Sequence, residues 1–169
     1  MKCIIDTNVA IAANGRDTHA SEECQLNCIE KLLNLVQDRK YTIHLDALDL
    51  IFDEYTKHLL FRGQPGVGDM FFKHLHDNKY TETLIKLVTI TPNEDDDTGF
   101  DELPVNRVDK SDRKFLATAV ASGASIINAL DSDWNEQAAL LAHLGVNVDQ
   151  LCPEHGCTLP PLNVPGQTN

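Results

Sequence analysis

Asp109-Lys-Ser-Asp-Arg-Lys-Phe-Leu-Ala-Thr-Ala-Val120 reads as the entry of a buried helix that carries two acids. Phe115, Leu116, Ala119 and Val120 recur at helical spacing and form one apolar face. Asp112 lies three and four residues before Phe115 and Leu116, on that same face. Asp109 is placed as the N-cap, Lys110 and Ser111 lead into the first turn, and Gly123 closes the helix. A carboxylate aimed along a core-facing stripe is costly to bury unless a cation neutralises it. A salt bridge to Arg107 or Arg113 would supply one; so would a divalent metal shared with other acids. The flanking sequence decides between them.

Directly after this helix, Ser125 to Leu130 is a short apolar run that ends at Asp131, with Asp133 close behind. Lys2 to Asp6 has the same shape, a buried parallel strand finishing on an acid. Thr42–Leu45, Leu84–Ile90 and Val146–Leu151 complete the strand candidates. Helices are expected from Ser21, with a stripe of Leu26, Ile29, Leu33 and Val36; over Ala47–Leu60; over Asp69–Asp77; and over Trp134–Leu144 with a Gly145 stop. Val9–Ala13 is a loop or a short helix, and Pro92–Arg107 is a long acidic loop. Strands alternating with helices predict an α/β fold of three layers, α/β/α, around a mainly parallel sheet. Ligands of such folds bind outside the carboxyl ends of the strands. The expected division is one domain over 1–151 and a proline-rich tail over 152–169.

The composition is that of a soluble globular chain, with 42% hydrophobic and 24% charged residues and no apolar run near the roughly 20 residues that span a bilayer. Asp6 interrupts anything like a signal segment, and five cysteines without dense spacing fit a reducing compartment, so the expected location is the cytoplasm, away from membranes. The net charge of -12 argues against polyanion binding over the whole surface. It leaves room for a nucleic-acid enzyme, because a bound divalent ion reverses the sign of an acidic pocket.

The candidate acids are Asp6, Glu54, Asp112, Asp131 and Asp133. Singly, each reads as a cap or a solvated charge. As a set tied to strand and helix ends they read as a pocket for a hard cation, which takes oxygen ligands and keeps several waters. Four segments in order then carry a family resemblance: Ile4-Ile-Asp-Thr-Asn-Val9, Asp53-Glu54, Ser111-Asp-Arg-Lys-Phe-Leu-Ala-Thr-Ala119, and Ile126-Ile-Asn-Ala-Leu-Asp-Ser-Asp-Trp134. Over most of residues 1–151 the chain resembles PIN-domain proteins, Mg²⁺- or Mn²⁺-dependent ribonucleases that include many toxins of toxin–antitoxin pairs. The resemblance implies metal ligands at Asp6, Glu54, Asp112 and Asp131, with Asp133 in support and Asn8 orienting Asp6. It also implies endoribonuclease activity on single-stranded or structured RNA, a toxin or anti-phage role, and an antitoxin or other protein partner, with a second copy of the chain as a further candidate. Ala129 departs from the family pattern, which often has Ser or Thr there, and so do the 92–107 loop and the tail.

Two other readings stand beside this one. An acidic interaction module would bind a basic partner without catalysis. A haloacid-dehalogenase-like phosphatase would need a second Asp where Asn8 stands. Gly63-Gln-Pro-Gly-Val-Gly68 has P-loop spacing, but Asp69 and Met70 replace the Lys and Ser/Thr that hold phosphate and magnesium. His58, His74, His76, Lys57, Arg62, Lys73 and Lys79 form either a backbone-contact patch or a solvated helix face. Glu94-Asp95-Asp96-Asp97 reads as solvated loop. Cys24 and Cys28 sit at i,i+4, and Cys152, His155 and Cys157 cluster near the end; zinc would bridge them if helix and tail met, although free cysteines are commonly buried apolar residues.

Overall fold

A computed structural model describes residues 1–16, 19–60 and 62–155. Strands β1 (Lys2–Ile5), β2 (Thr42–Asp46), β3 (Ile85–Val88), β4 (Ser125–Asn128) and β5 (Val148–Gln150) form one sheet in the order β3-β2-β1-β4-β5, every pair parallel. Around it lie α1 (Thr7–Ala13), α2 (Glu22–Gln37), α3 (Leu50–His58), α4 (Val67–Asn78), α5 (Arg113–Ser122), α6 (Asp133–Glu136) and α7 (Ala138–Leu144). This is the expected three-layer α/β/α arrangement. The central strands read as continuous apolar runs because helices cover both of their faces. Cys3, Ile4 and Ile5 pair with Ser125, Ile126 and Ile127, and all but Ser125 are buried.

That register places the site. The strand order reverses between β1 and β4, which opens a crevice at their carboxyl ends. Ile5 lies level with Ile127, and the Asp6 N–H donates to the Ile127 carbonyl at 2.9 Å. The chain leaving β1 at Asp6 and the chain leaving β4 toward Asp131 therefore start from one edge.

Several local expectations need correction. Helix α5 begins at Arg113 rather than at Asp109. The Asp109 carboxylate takes the N–H and the hydroxyl of Ser111 at 2.8 and 2.7 Å, and its carbonyl accepts from the N–H groups of Asp112 and Arg113. An aspartate that bonds its own backbone two residues on builds a turn in competition with the helix. Asp112 becomes the residue flanking α5. Ser21 caps α2 as expected, accepting from the Cys24 N–H, but the buried stripe is Cys24, Cys28, Leu32 and Leu35. Leu26 and Leu33 are 64% and 44% exposed. The expectation followed the leucines, whereas the cysteines supply the apolar face. Helix α3 starts at Leu50, leaving Leu48 exposed, because the Asp46 carboxylate gathers the N–H groups of Leu48, Leu50 and Ile51 into its entry. The expected Trp134–Leu144 helix is broken at Gln137 into α6 and α7. Gly68 marks a close helix crossing: a Cβ there would lie 1.9 Å from the Ala10 carbonyl oxygen, so α1 and α4 meet only without a side chain. After β5, Pro153–His155 forms a 3-10 turn; the rest of the expected tail lies outside the described residues.

Candidate metal centre

Asp6 is the N-cap of α1 and is 5% exposed. Its carboxylate accepts from the Trp134 Nε1–H at 2.9 Å and from the Asn8 backbone N–H at 3.2 Å. Burial pushes this carboxyl up to about 6 against those two bonds, and the charges of Asp131 and Glu54 push the same way. Asp112, half-buried at the start of α5, is pushed up to about 7, first by burial and then by Asp6, Asp131 and Asp109. Asp131, just beyond β4, is also raised by burial; the charges of Asp133, Asp109 and Glu136 add to the rise, while its bond from the Asp133 N–H opposes it. Neither Arg107 nor Arg113 forms an ion pair with Asp112 among the described residues. Arg113 instead donates to the carbonyls of Val108 and Asp96 at 3.0 and 2.7 Å, which fastens the acidic loop to α5.

Asp112, Asp131 and Asp133 line one cavity of about 140 Å³, together with Asp109, Glu136 and the Trp134 ring. Asp6 is not among the residues lining this cavity; it is joined to it by the indole N–H of Trp134. Glu54 sits on α3 within the electrostatic reach of Asp6, but its carboxylate is occupied: Thr7 donates to it at 2.8 Å and Lys114 forms an ion pair with it. Asp133 is exposed at the rim, and its N–H donates to Asp131 at 2.8 Å. A larger cavity, about 560 Å³, lies between α2 and α4 among Leu32, Val36, Val67 and Phe71; it is apolar and contains none of these acids.

The role expected for Asn8 divides in two. Its backbone N–H, not its amide, bonds Asp6. Its side chain fixes the exit of β4: Oδ1 accepts from the N–H groups of Ala129 and Leu130 at 2.9 and 3.3 Å, and Nδ2 donates to Asn128 at 2.8 Å. Asn128 in turn donates to the Asp131 carbonyl and to Gln150, both at 2.7 Å. This amide network ties the exit of β4 to Asn8 and to β5 and fixes the backbone of Asp131.

Trp134, Lys114 and Thr7 were not singled out from the sequence. A signal existed for Trp134 alone, since a buried indole N–H requires an acceptor and acids stand on both sides of it in the chain. In the candidate basic patch, Lys73 pairs with Asp77 and Lys79 with Asp49, which neutralises part of it.

The donor set is all oxygen, which suits Mg²⁺ and Mn²⁺, and the cavity of about 140 Å³ has room for an ion with waters. The acids do not close into a tight cage. Among the described residues, the group of three or more His, Cys, Asp or Glu donors lying within 4.8 Å of one another is Cys24, Cys28 and Cys152. Of the candidate zinc ligands, Cys157 and the side chain of His155 lie outside the described residues. Cys24 and Cys152 are joined as a disulfide, where the sequence reading expected reduced thiols. No described helix is long and apolar enough to cross a membrane. No family model, curated protein or solved structure matches this chain.

Proposed function

We propose that this protein is a Mg²⁺- or Mn²⁺-dependent endoribonuclease of PIN type. One observation carries the reading. Carboxylates from four separate elements — the end of β1, α3, the start of α5 and the exit of β4 — are gathered at the topological switch of a parallel sheet, where burial and mutual repulsion hold Asp6 and Asp112 well above the ordinary range. Asp6, Asp112 and Asp131 would hold the ion, with Asp133 bonding waters at the rim. A divalent cation bound there supplies a water activated near neutral pH and neutralises charge developing on the phosphate oxygens. Trp134 and the Asn8 N–H orient Asp6, while the Asn8–Asn128–Gln150 amides set the position of Asp131. Lys114 holds Glu54 at the edge of the site until substrate or a further cation competes for that carboxylate.

RNA, single-stranded or structured, is the substrate class this reading carries, in the cytoplasm, as a toxin or anti-phage effector restrained by a protein partner. A second reading, a non-catalytic module for a basic partner, is favoured by the Lys114–Glu54 pair, which removes one carboxylate from the set. Cleavage of mixed single-stranded RNA and DNA with Mn²⁺, Mg²⁺ or chelator separates the two. Metal-dependent cutting that disappears in Asp6→Asn is expected. An Asp6→Asn protein that cuts RNA at the wild-type rate would sink the scheme, and absence of both cutting and metal binding in folded protein would favour the module.

A further inference from the structure

Three sulfurs meet where a disulfide needs only two. Cys24 and Cys28 project from the same face of α2, one turn apart, and Cys152 arrives from the segment after β5. All three are fully buried, and their sulfurs lie within 4.8 Å of one another. A tetrahedral zinc site with bonds of about 2.3 Å needs sulfurs about 3.8 Å apart, a spacing inside the 4.8 Å span of this cluster. The fifth cysteine, Cys3, is buried in β1 and stands outside the cluster.

We infer that Cys24, Cys28 and Cys152 form a three-thiolate zinc site, with the Cys24–Cys152 disulfide as the metal-free oxidised form of the same cluster. The chemistry balances. A phosphine reductant and one water convert the disulfide to two thiols and a phosphine oxide, and zinc then displaces one proton from each ligating thiol. The site would clamp the segment after β5 to α2. It sits beside the acid site's supports: Gln150 Nε2 donates to the carbonyls of both Cys152 and Ala129, and Asn27 of α2 donates to the Leu151 carbonyl. This assignment is independent of the nuclease proposal, since the ligands are sulfur rather than carboxylate and lie on other elements.

The test uses the full chain, purified with a phosphine reductant and passed over a chelating resin. Elemental analysis should find about one zinc per chain, retained in Asp112→Asn, whose acid site is disabled. Cobalt replacement in wild-type protein should give the visible bands of a tetrahedral thiolate site together with a thiolate charge-transfer band. Cys28→Ser should lose the metal yet still form the Cys24–Cys152 disulfide on oxidation, which shows that its fold survives. Reduced, folded wild-type protein that carries no zinc, gives no cobalt–thiolate band and leaves all three thiols open to alkylation on unfolding overturns the proposal. So does a Cys28→Ser protein that binds zinc as tightly as wild type.

Discussion

Replacing Asp112 with Asn should stabilise the metal-free protein while abolishing its response to metal. Asp112 has little to lose as a hydrogen-bonding group, since Ser111 Oγ donates to it at 3.3 Å and an amide oxygen can accept the same bond. What the substitution removes is a carboxylate facing Asp6, Asp131 and Asp109. Raising a carboxyl from 3.8 to about 7 corresponds to about 4 kcal/mol for a wholly shielded group. Asp112 keeps part of its surface in water, and solvent screening reduces the gain to about 1–2 kcal/mol. For a chain of this size that is a rise of about 2–8 °C in Tm. The sign follows from linkage. The folded state binds this proton more tightly than the unfolded state, so the wild-type group's contribution is fully present below the ordinary value of 3.8. It is lost as pH rises through about 7. The advantage of the Asn protein is therefore largest at about pH 8 and closes near pH 4. Thermal unfolding in chelator and in Mn²⁺ measures both arms. Wild type should gain about 2.7 kcal/mol at a hundredfold excess of Mn²⁺ over Kd, overtaking the variant, whose curve should barely move. A variant that is less stable than wild type in chelator at pH 8, or that keeps the full Mn²⁺ shift, refutes the reasoning.

Three further substitutions probe other parts of the argument. Trp134→Phe removes an N–H from the buried Asp6 carboxylate and should cost about 1–3 kcal/mol above pH 7. Because that bond holds the Asp6 carboxyl down, its loss should also move the rising limb of the cleavage–pH profile to higher pH; an unchanged profile would show that Asp6 does not titrate with activity. Asp69→Asn breaks a fully buried carboxylate away from half-exposed Arg16, from Asn14 and from the N–H groups of Leu60 and Gly66, and should cost about 1–3 kcal/mol in urea unfolding while leaving the Mn²⁺-induced stabilisation intact. Gly68→Ala drives a methyl group into the Ala10 carbonyl and should cost about 3 kcal/mol; a loss under about 0.5 kcal/mol would mean that α1 and α4 separate without penalty.

The parts legible in the sequence were those fixed by local periodicity. Cys3-Ile-Ile and Ser125-Ile-Ile announce central strands because a parallel strand is buried on both faces and has no polar side to show. The acids that end them follow directly from strand direction. The rotation of α2 about its axis was not legible, because Leu26 and Leu33 match a helical stripe as well as Cys24 and Cys28 do, and only the position of α4 and the arrival of Cys152 select between them. The start of α5 was misplaced because Asp109 has the chemistry of both an N-cap and an Asx turn, and the choice depends on Arg113 reaching Val108 and Asp96. The Lys114–Glu54 pair joins α5 to α3 across sixty positions of sequence, with no local pattern to announce it.

The buried acids of this chain also separate by what faces them. Asp46 ends β2 much as Asp6 ends β1, yet its oxygens take three backbone N–H groups at the entry of α3. Asp69 is met by two N–H groups, an amide and a guanidinium. For such groups the protein itself supplies the compensating donors, and a cation would have no open oxygen to bind. Asp6 has two donors, Asp112 has one long bond, and each faces further carboxylates. A carboxylate pressed against others with few donors holds its proton to higher pH, Lys114 offsetting only part of this at Asp112, and a bound cation would favour the ionised form. The position of an acid at a strand end is thus a weak indicator, and Asp46 alone would mislead. The count of donors turned toward it is the stronger one, and it sets Asp6 and Asp112 apart from Asp46 and Asp69 as acids whose substitution should exchange metal response for stability.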